Sequence, residues 1–240
     1  MKEAGRPKSR ILGLDSLRGI CLLFMVLYHL FYDLSSFFGC PAWIADNPFA
    51  VFCQLFSSSG FILIAGVSSR LSSGNIRRGI RVLTAGCLVA AAAFAWGAPI
   101  LFGILQFLGC AMILYGLTHG FWNRIPEQAA PVLYLALFVL TGWLVSHRVS
   151  VDCLFPLGLI SPDFSSADYY PIFPNIFVFL LGTWAGKYAL ERRLPQWFLS
   201  WKVPGLSFLG RHSLAAYLLH QPLLIALLYG LSYLAGRFGI

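Results

Sequence analysis

Charge is what this chain has least of. Asp, Glu, Lys and Arg make up only 11% of the 240 residues, against 58% hydrophobic, a balance that excludes an ordinary soluble globular domain. Acidic residues are scarcest, nine against seventeen Lys and Arg, leaving a net charge of +8. The six cysteines contain no C-x-x-C pair and no spacing suited to zinc or an iron–sulfur cluster, so no metal is expected. Internal repeats and low-complexity segments are also missing. One transmembrane domain over residues 1–240 is expected, with residues 1–13 as a basic cytoplasmic tail.

Long apolar runs are abundant. A helix needs about 20 apolar residues to cross a hydrocarbon core of about 30 Å. Seven segments approach that: residues 14–37, 49–69, 82–96, 100–118, 130–147, 172–190 and 213–235, the third being the shortest. Gly97, Ala98 and Pro99 break the ladder between the third and fourth and turn them into a helical hairpin. The expected fold is all-α, a polytopic bundle of seven transmembrane helices with a cytoplasmic N-terminus. The first run is too long and too polar for a cleaved signal peptide and is expected to stay as the first helix.

Basic residues accumulate on the cytoplasmic side of membrane proteins. With the N-terminus inside, Lys2, Arg6, Lys8, Arg10, Arg70, Arg77, Arg78, Arg81 and Arg124 all fall there. So do Lys187, Arg192, Arg193, Lys202 and Arg211, leaving only Arg148 and Arg237 outside. Topology thus accounts for the positive charge, and nucleic-acid binding is not expected. The segment "PQWFLSWKVPG" reads as an interfacial anchor built around Trp197 and Trp201. His119 and His147, at helix ends, read as interfacial. The long outer connection over residues 148–171 could cover a site opening outward. Cys40 and Cys153 fall in outer loops where a disulfide is chemically permitted, though two unrelated cysteines is the simpler reading.

The first run, "LDSLRGICLLFMVLYHLFYDL", carries Asp15, Arg18, His29 and Asp33 inside an otherwise apolar span. At 100° per residue, Arg18 and His29 differ by about 20° after whole turns and by roughly 16 Å in height. Asp15 precedes Arg18 by three residues and Asp33 follows His29 by four, so one stripe holds all four. Ile20, Phe24, Leu27 and Phe31 fall on the opposite face, and the stripe is expected to point into the bundle. Ionisable groups at membrane depth mark a site or a pathway. For Asp15 and Arg18, near the inner end, an interfacial pin is an equal alternative. His29 beside a carboxylate at Asp33 suits a general base, because the carboxylate stabilises the imidazolium that forms.

Further polar residues are candidates for the same site. In the last helix His220 lies near one face with Ser213 and Tyr217, followed by Gln221 and Pro222. His220 is the reserve catalytic candidate. Gln106, in "GILQ", is a candidate substrate contact that interhelical hydrogen bonding would equally explain. Asp168, before "YYPIFPNIF", is either an acceptor contact or a cap on the sixth span.

Four stretches, "RILGLDSLRGICLLFMVLYHLFYDL", "FSSSGFILIAGVSSRLS", "GILQFLG" and "FLGRHSLAAYLLHQPLL", make the chain resemble bacterial membrane proteins related to the catalytic domain of heparan-alpha-glucosaminide N-acetyltransferase. That family sits within a superfamily of integral-membrane acyltransferases, in which an arginine and a histidine separated by ten residues in the first helix form a signature. Arg18 and His29 have that spacing. The resemblance implies a protein of the bacterial cytoplasmic (inner) membrane. It also implies transfer of an acyl group, usually acetyl, from cytoplasmic acyl-CoA to an acceptor on the opposite side, commonly a sugar or glycan. The chain departs from eukaryotic members, which place an active-site histidine in the first outer loop, where Cys40 stands here. A small proton-coupled transporter, or a noncatalytic membrane partner with the same fold, is the alternative. Oligomeric state is open.

Overall fold

The computed structural model describes residues 11–150, 152–191 and 193–238, with side chains to Leu234. Lys2, Arg6, Lys8, Arg10 and Arg192 lie outside the described residues. The regular elements are α1 (Leu12–Phe37), α2 (Trp43–Asp46), α3 (Pro48–Leu71), α4 (Asn75–Ala95), α5 (Ile104–Trp122), α6 (Ala130–Val145), α7 (Ile172–Leu190), α8 (Gln196–Ser200), α9 (Pro204–Arg211) and α10 (Ser213–Phe238), with one 3-10 turn, Phe155–Leu157. All seven apolar segments of the sequence are helical. Five helices, α1, α3, α4, α5 and α10, are long and apolar enough to cross a membrane, and α6 is apolar but shorter. On α6, Val132, Leu135 and Val139 are 61–70% exposed, an apolar face suited to lipid rather than water. The chain is an integral membrane protein.

Two helix starts differ from the sequence expectation. Helix α4 begins at Asn75, not near residue 82, because hydropathy locates the apolar part of a helix whereas arginine continues a helix as well as leucine does. Its end is as expected. Gly97 adopts a positive φ of 82°, and the N–H groups of Ala98 and Gly97 return to the carbonyls of Ala93 and Phe94, which satisfies the last carbonyls of the helix. Helix α5 begins at Ile104 rather than 100, because the preceding residues pair with the outer loop. Tyr170 N–H donates to the Phe102 carbonyl (2.7 Å) and Leu101 N–H to Ser166 Oγ (3.1 Å).

The chain divides into two compact units, Met1–Ser57 with Leu194–Ile240, and Ser58–Arg193. In the first, α1 packs against α2, α8, α9 and α10. The closest approach is to α9, where a Cβ on Gly19 would run into the Leu206 carbonyl and one on Gly210 into the Asp15 carbonyl. Small residues permit such backbone contact between membrane helices. Phe24 meets Phe52 and Phe56 edge to face, and Phe31 meets Phe49, so the apolar face of α1 is used for helix packing. Helix α3 starts on Asn47, whose Oδ1 accepts from the N–H groups of Phe49 and Ala50 (both 3.0 Å), with Pro48 at the first helical position.

In the second unit α4 pairs with α5, and α7 with α6 and α5. Gly66 of α3 and Gly182 of α7 interlock, each abutting the other helix's backbone. Glu127 accepts from Lys187 Nζ (2.6 Å) and Arg193 Nη1 (3.0 Å), tying the α5–α6 connection to the end of α7. The residues between α6 and α7 fold on themselves, through Val149 N–H to the Ile160 carbonyl (3.1 Å) and Tyr169 OH to the Phe155 carbonyl (2.7 Å).

Candidate functional site

Within the polar stripe of α1 the two carboxyls turn inward: Asp15 and Asp33 are 1% and 0% exposed, while Arg18 and His29 are half-buried. The stripe divides into two clusters at different heights. At the lower one, Arg18 Nη1 donates to Asp15 Oδ1 at 3.0 Å. Next to Asp15 in sequence, Ser16 Oγ lies 2.7 Å from Ser207 Oγ, donates to the Trp201 carbonyl (3.2 Å) and accepts from Val203 N–H (3.2 Å). These bonds fasten the start of α1 to α9 and the segment before it. The "PQWFLSWKVPG" stretch therefore packs on α1 as well as presenting Trp197, which is 67% exposed.

The upper cluster joins α1 to α10. The His29 and His220 rings lie with centroids 4.8 Å apart, and Tyr217 stands 5.3 Å from His220. Asp33 does not bond to His29. Its Oδ1 accepts from Gln221 Nε2 at 2.8 Å, because four residues along α1 set the two side chains at adjacent heights while α10 offers a donor directly across. The sequence set Asp33 beside His29 as its carboxylate, but among the described residues Asp33 is hydrogen-bonded to Gln221 instead. Gln221 is the member that sequence reasoning undervalued: it was legible as a polar residue before Pro222, but not as the partner of Asp33. Ser213 forms no side-chain hydrogen bond in this group.

The tautomer of His220 follows from its partner. Nδ1 faces the Tyr217 carbonyl, which can only accept, so Nδ1 carries the proton and Nε2 of the neutral ring holds a lone pair. That Nε2 is buried without a partner among the described residues, as are Asp33 Oδ2 and Gln221 Oε1. Buried polar atoms are nearly always satisfied, and each exception calls for an explanation. Here three fall in one cluster around a pair of imidazoles. The arrangement can accept a proton and can offer hydrogen-bond partners to a bound polar group.

Gln106 and Asp168 both serve the start of α5 and belong to a different structure. Gly103 precedes α5 and has no side chain to cap it. Gln106 Oε1 accepts from Gly103 N–H (2.6 Å) and Asp168 Oδ2 from Ile104 N–H (3.0 Å). Asp168 caps α5, not the sixth span as the sequence reading allowed. Burial pushes its carboxyl up to about 6, against the pull of the Ile104 N–H.

The site is thus a pair of half-buried histidines beside a buried carboxyl in a membrane-embedded helical protein. Residues 10–222 match the family described as heparan-alpha-glucosaminide N-acetyltransferase, catalytic, and the chain belongs to that family. No curated protein and no solved structure matches it.

Proposed function

We propose that the chain is a transmembrane acetyltransferase of seven spans with a cytoplasmic N-terminus, working as one transmembrane domain. It takes an acetyl or other acyl group from cytoplasmic acyl-CoA and delivers it to a hydroxyl or amine, of a sugar or glycan, at the opposite face of a bacterial inner membrane. Family membership supports acetyl transfer, and the positive-inside distribution supports the orientation. The observation that carries the site is the His29–His220 pair, with the orphaned Nε2 of His220 and the orphaned oxygens of Asp33 and Gln221 beside it.

In this reading His29 is the base. It takes the proton from the acceptor as the acceptor oxygen or nitrogen attacks the thioester carbonyl, the C–S bond breaks, and the proton passes to the CoA thiolate. His220, its Nε2 free, stands next to it to share or relay the proton, and Tyr217 fixes the His220 tautomer. Asp33, held by Gln221, supplies negative charge near the imidazolium. Asp15 and Arg18 hold the inner end of α1 in place. Gln106 and Asp168 act on substrate only indirectly, through the start of α5.

The test is acetyl-CoA binding and turnover by the purified chain in nanodiscs, compared with His29→Ala and His220→Ala. Binding retained with turnover lost in His29→Ala supports the assignment, and loss confined to His220→Ala moves the base to α10. A folded wild type that neither binds nor turns over acyl-CoA sinks the enzyme reading and leaves proton-coupled transport, tested by solute uptake in proteoliposomes, in its place.

A further inference from the structure

The second unit contains a cleft of about 410 Å³ where the end of α3, the start of α4 and the far end of α5 converge. Its size falls within the roughly 300–1,000 Å³ of small-molecule sites. Arg70, Arg77 and His119 line it, and no Asp or Glu does among the described residues. It also receives the start of α4, a helix of 21 residues whose N-cap position, Gly74, provides no side-chain cap. The first N–H groups of a helix have no intrahelical partner and carry the positive end of its dipole, so an uncapped start is an anion cradle.

A second observation points to a ligand. Ser69 and Asn75 both line the cleft, they are 1% and 7% exposed, and Ser69 Oγ and Asn75 Oδ1 have no hydrogen-bond partner among the described residues. Asn75 Nδ2 is already committed to the carbonyls of Ser69 (2.8 Å) and Ser72 (3.1 Å), which fixes the amide with its oxygen unpartnered. A hydroxyl donor and an amide acceptor, beside two guanidinium groups and a helix start, match the oxygens and hydroxyls of a phosphate ester.

We infer that this cleft binds a phosphate ester. Positive charge at the inner end of a membrane protein needs no ligand, but the convergence of arginines, an uncapped helix and orphaned polar atoms on one cavity is not required by topology. Two sources share this chemistry, the phosphates of a soluble acyl carrier such as CoA and the headgroup of an anionic phospholipid. The inference stands on the cleft and not on acyl transfer, so it is measured by binding without turnover.

The experiment is calorimetric titration of pyrophosphate into the full chain in zwitterionic nanodiscs, with Arg77→Gln, Ser69→Ala and, as a control on the same helix outside the cleft, Arg81→Gln. Saturable binding is expected, weakened about tenfold by Arg77→Gln, measurably by Ser69→Ala and less than twofold by Arg81→Gln. Displacement of pyrophosphate by CoA identifies the soluble source, and loss of pyrophosphate binding in nanodiscs containing anionic phospholipid identifies the headgroup. No saturable binding by folded wild type overturns the inference, as does equal weakening by Arg81→Gln or binding that neither CoA nor anionic lipid displaces.

Discussion

Two polar clusters in this protein are built from the same kinds of residue and end in opposite states. At the start of α5, Asp168 and Gln106 each meet a backbone N–H, and neither holds a buried polar atom without a partner among the described residues. Between α1 and α10, Asp33, Gln221 and His220 each keep one orphaned atom. A carboxylate and an amide thus serve the backbone in one place and leave capacity unused in the other. Unused capacity in a buried site is costly, so the second cluster is where a ligand or a proton is expected.

Replacement of His29 tests that contrast most severely. His29→Ala is expected to lower acetyl transfer from acetyl-CoA by about 10²–10⁴-fold, the range for loss of a general base, with the helical content unchanged by circular dichroism. Asp168→Ala, in the other cluster, should leave the rate within about twofold, since that carboxyl serves a helix end rather than the reaction. Equal losses in the two variants would erase the distinction between the clusters.

The next effect is on stability. Gln221→Leu removes the one donor that Asp33 has among the described residues and leaves the buried carboxyl without it, at a cost of about 1–3 kcal/mol. Replacing both residues, in Asp33→Leu with Gln221→Leu, removes the polar group along with its partner and should cost less than Gln221→Leu alone. Denaturation in detergent measures both. A double variant less stable than the single one would show that Asp33 has other support.

These clusters also show what the sequence could reveal. The 100° periodicity of α1 was enough to put Asp15, Arg18, His29 and Asp33 on one stripe, of which Asp15 and Asp33 are buried and Arg18 and His29 half-buried, and the hydropathy runs located every long helix. Partners across helices were another matter. Spacing along α1 suggested Asp33 for His29, yet the structure gives Asp33 to Gln221 and His29 to His220, because register between two helices is fixed by packing that no single segment encodes. Gln106 and Asp168, separated by 62 positions, came together at one helix start for the same reason. The absence of a side chain at Gly103 was the only local sign that α5 needed a cap from elsewhere.

Smaller still is the effect of the Asp168 cap. Asp168→Ala should destabilise the chain by about 1 kcal/mol, as loss of a helix cap does. The pH dependence separates the carboxyl's charge from its hydrogen bond. Folding raises this carboxyl from 3.8 to about 6, so between those values the folded chain holds a proton that the unfolded chain has released. Its contribution is fully present below about pH 3.8 and is lost as pH rises through about 6. Asp168→Asn keeps an oxygen to accept from Ile104 N–H and cannot ionise. The difference in denaturation temperature between Asp168→Asn and wild type should therefore shift in favour of the variant from pH 4 to pH 7. A difference that stays constant over that range would mean that the carboxyl is hydrated when charged, and the α5 cap would then owe nothing to its protonation.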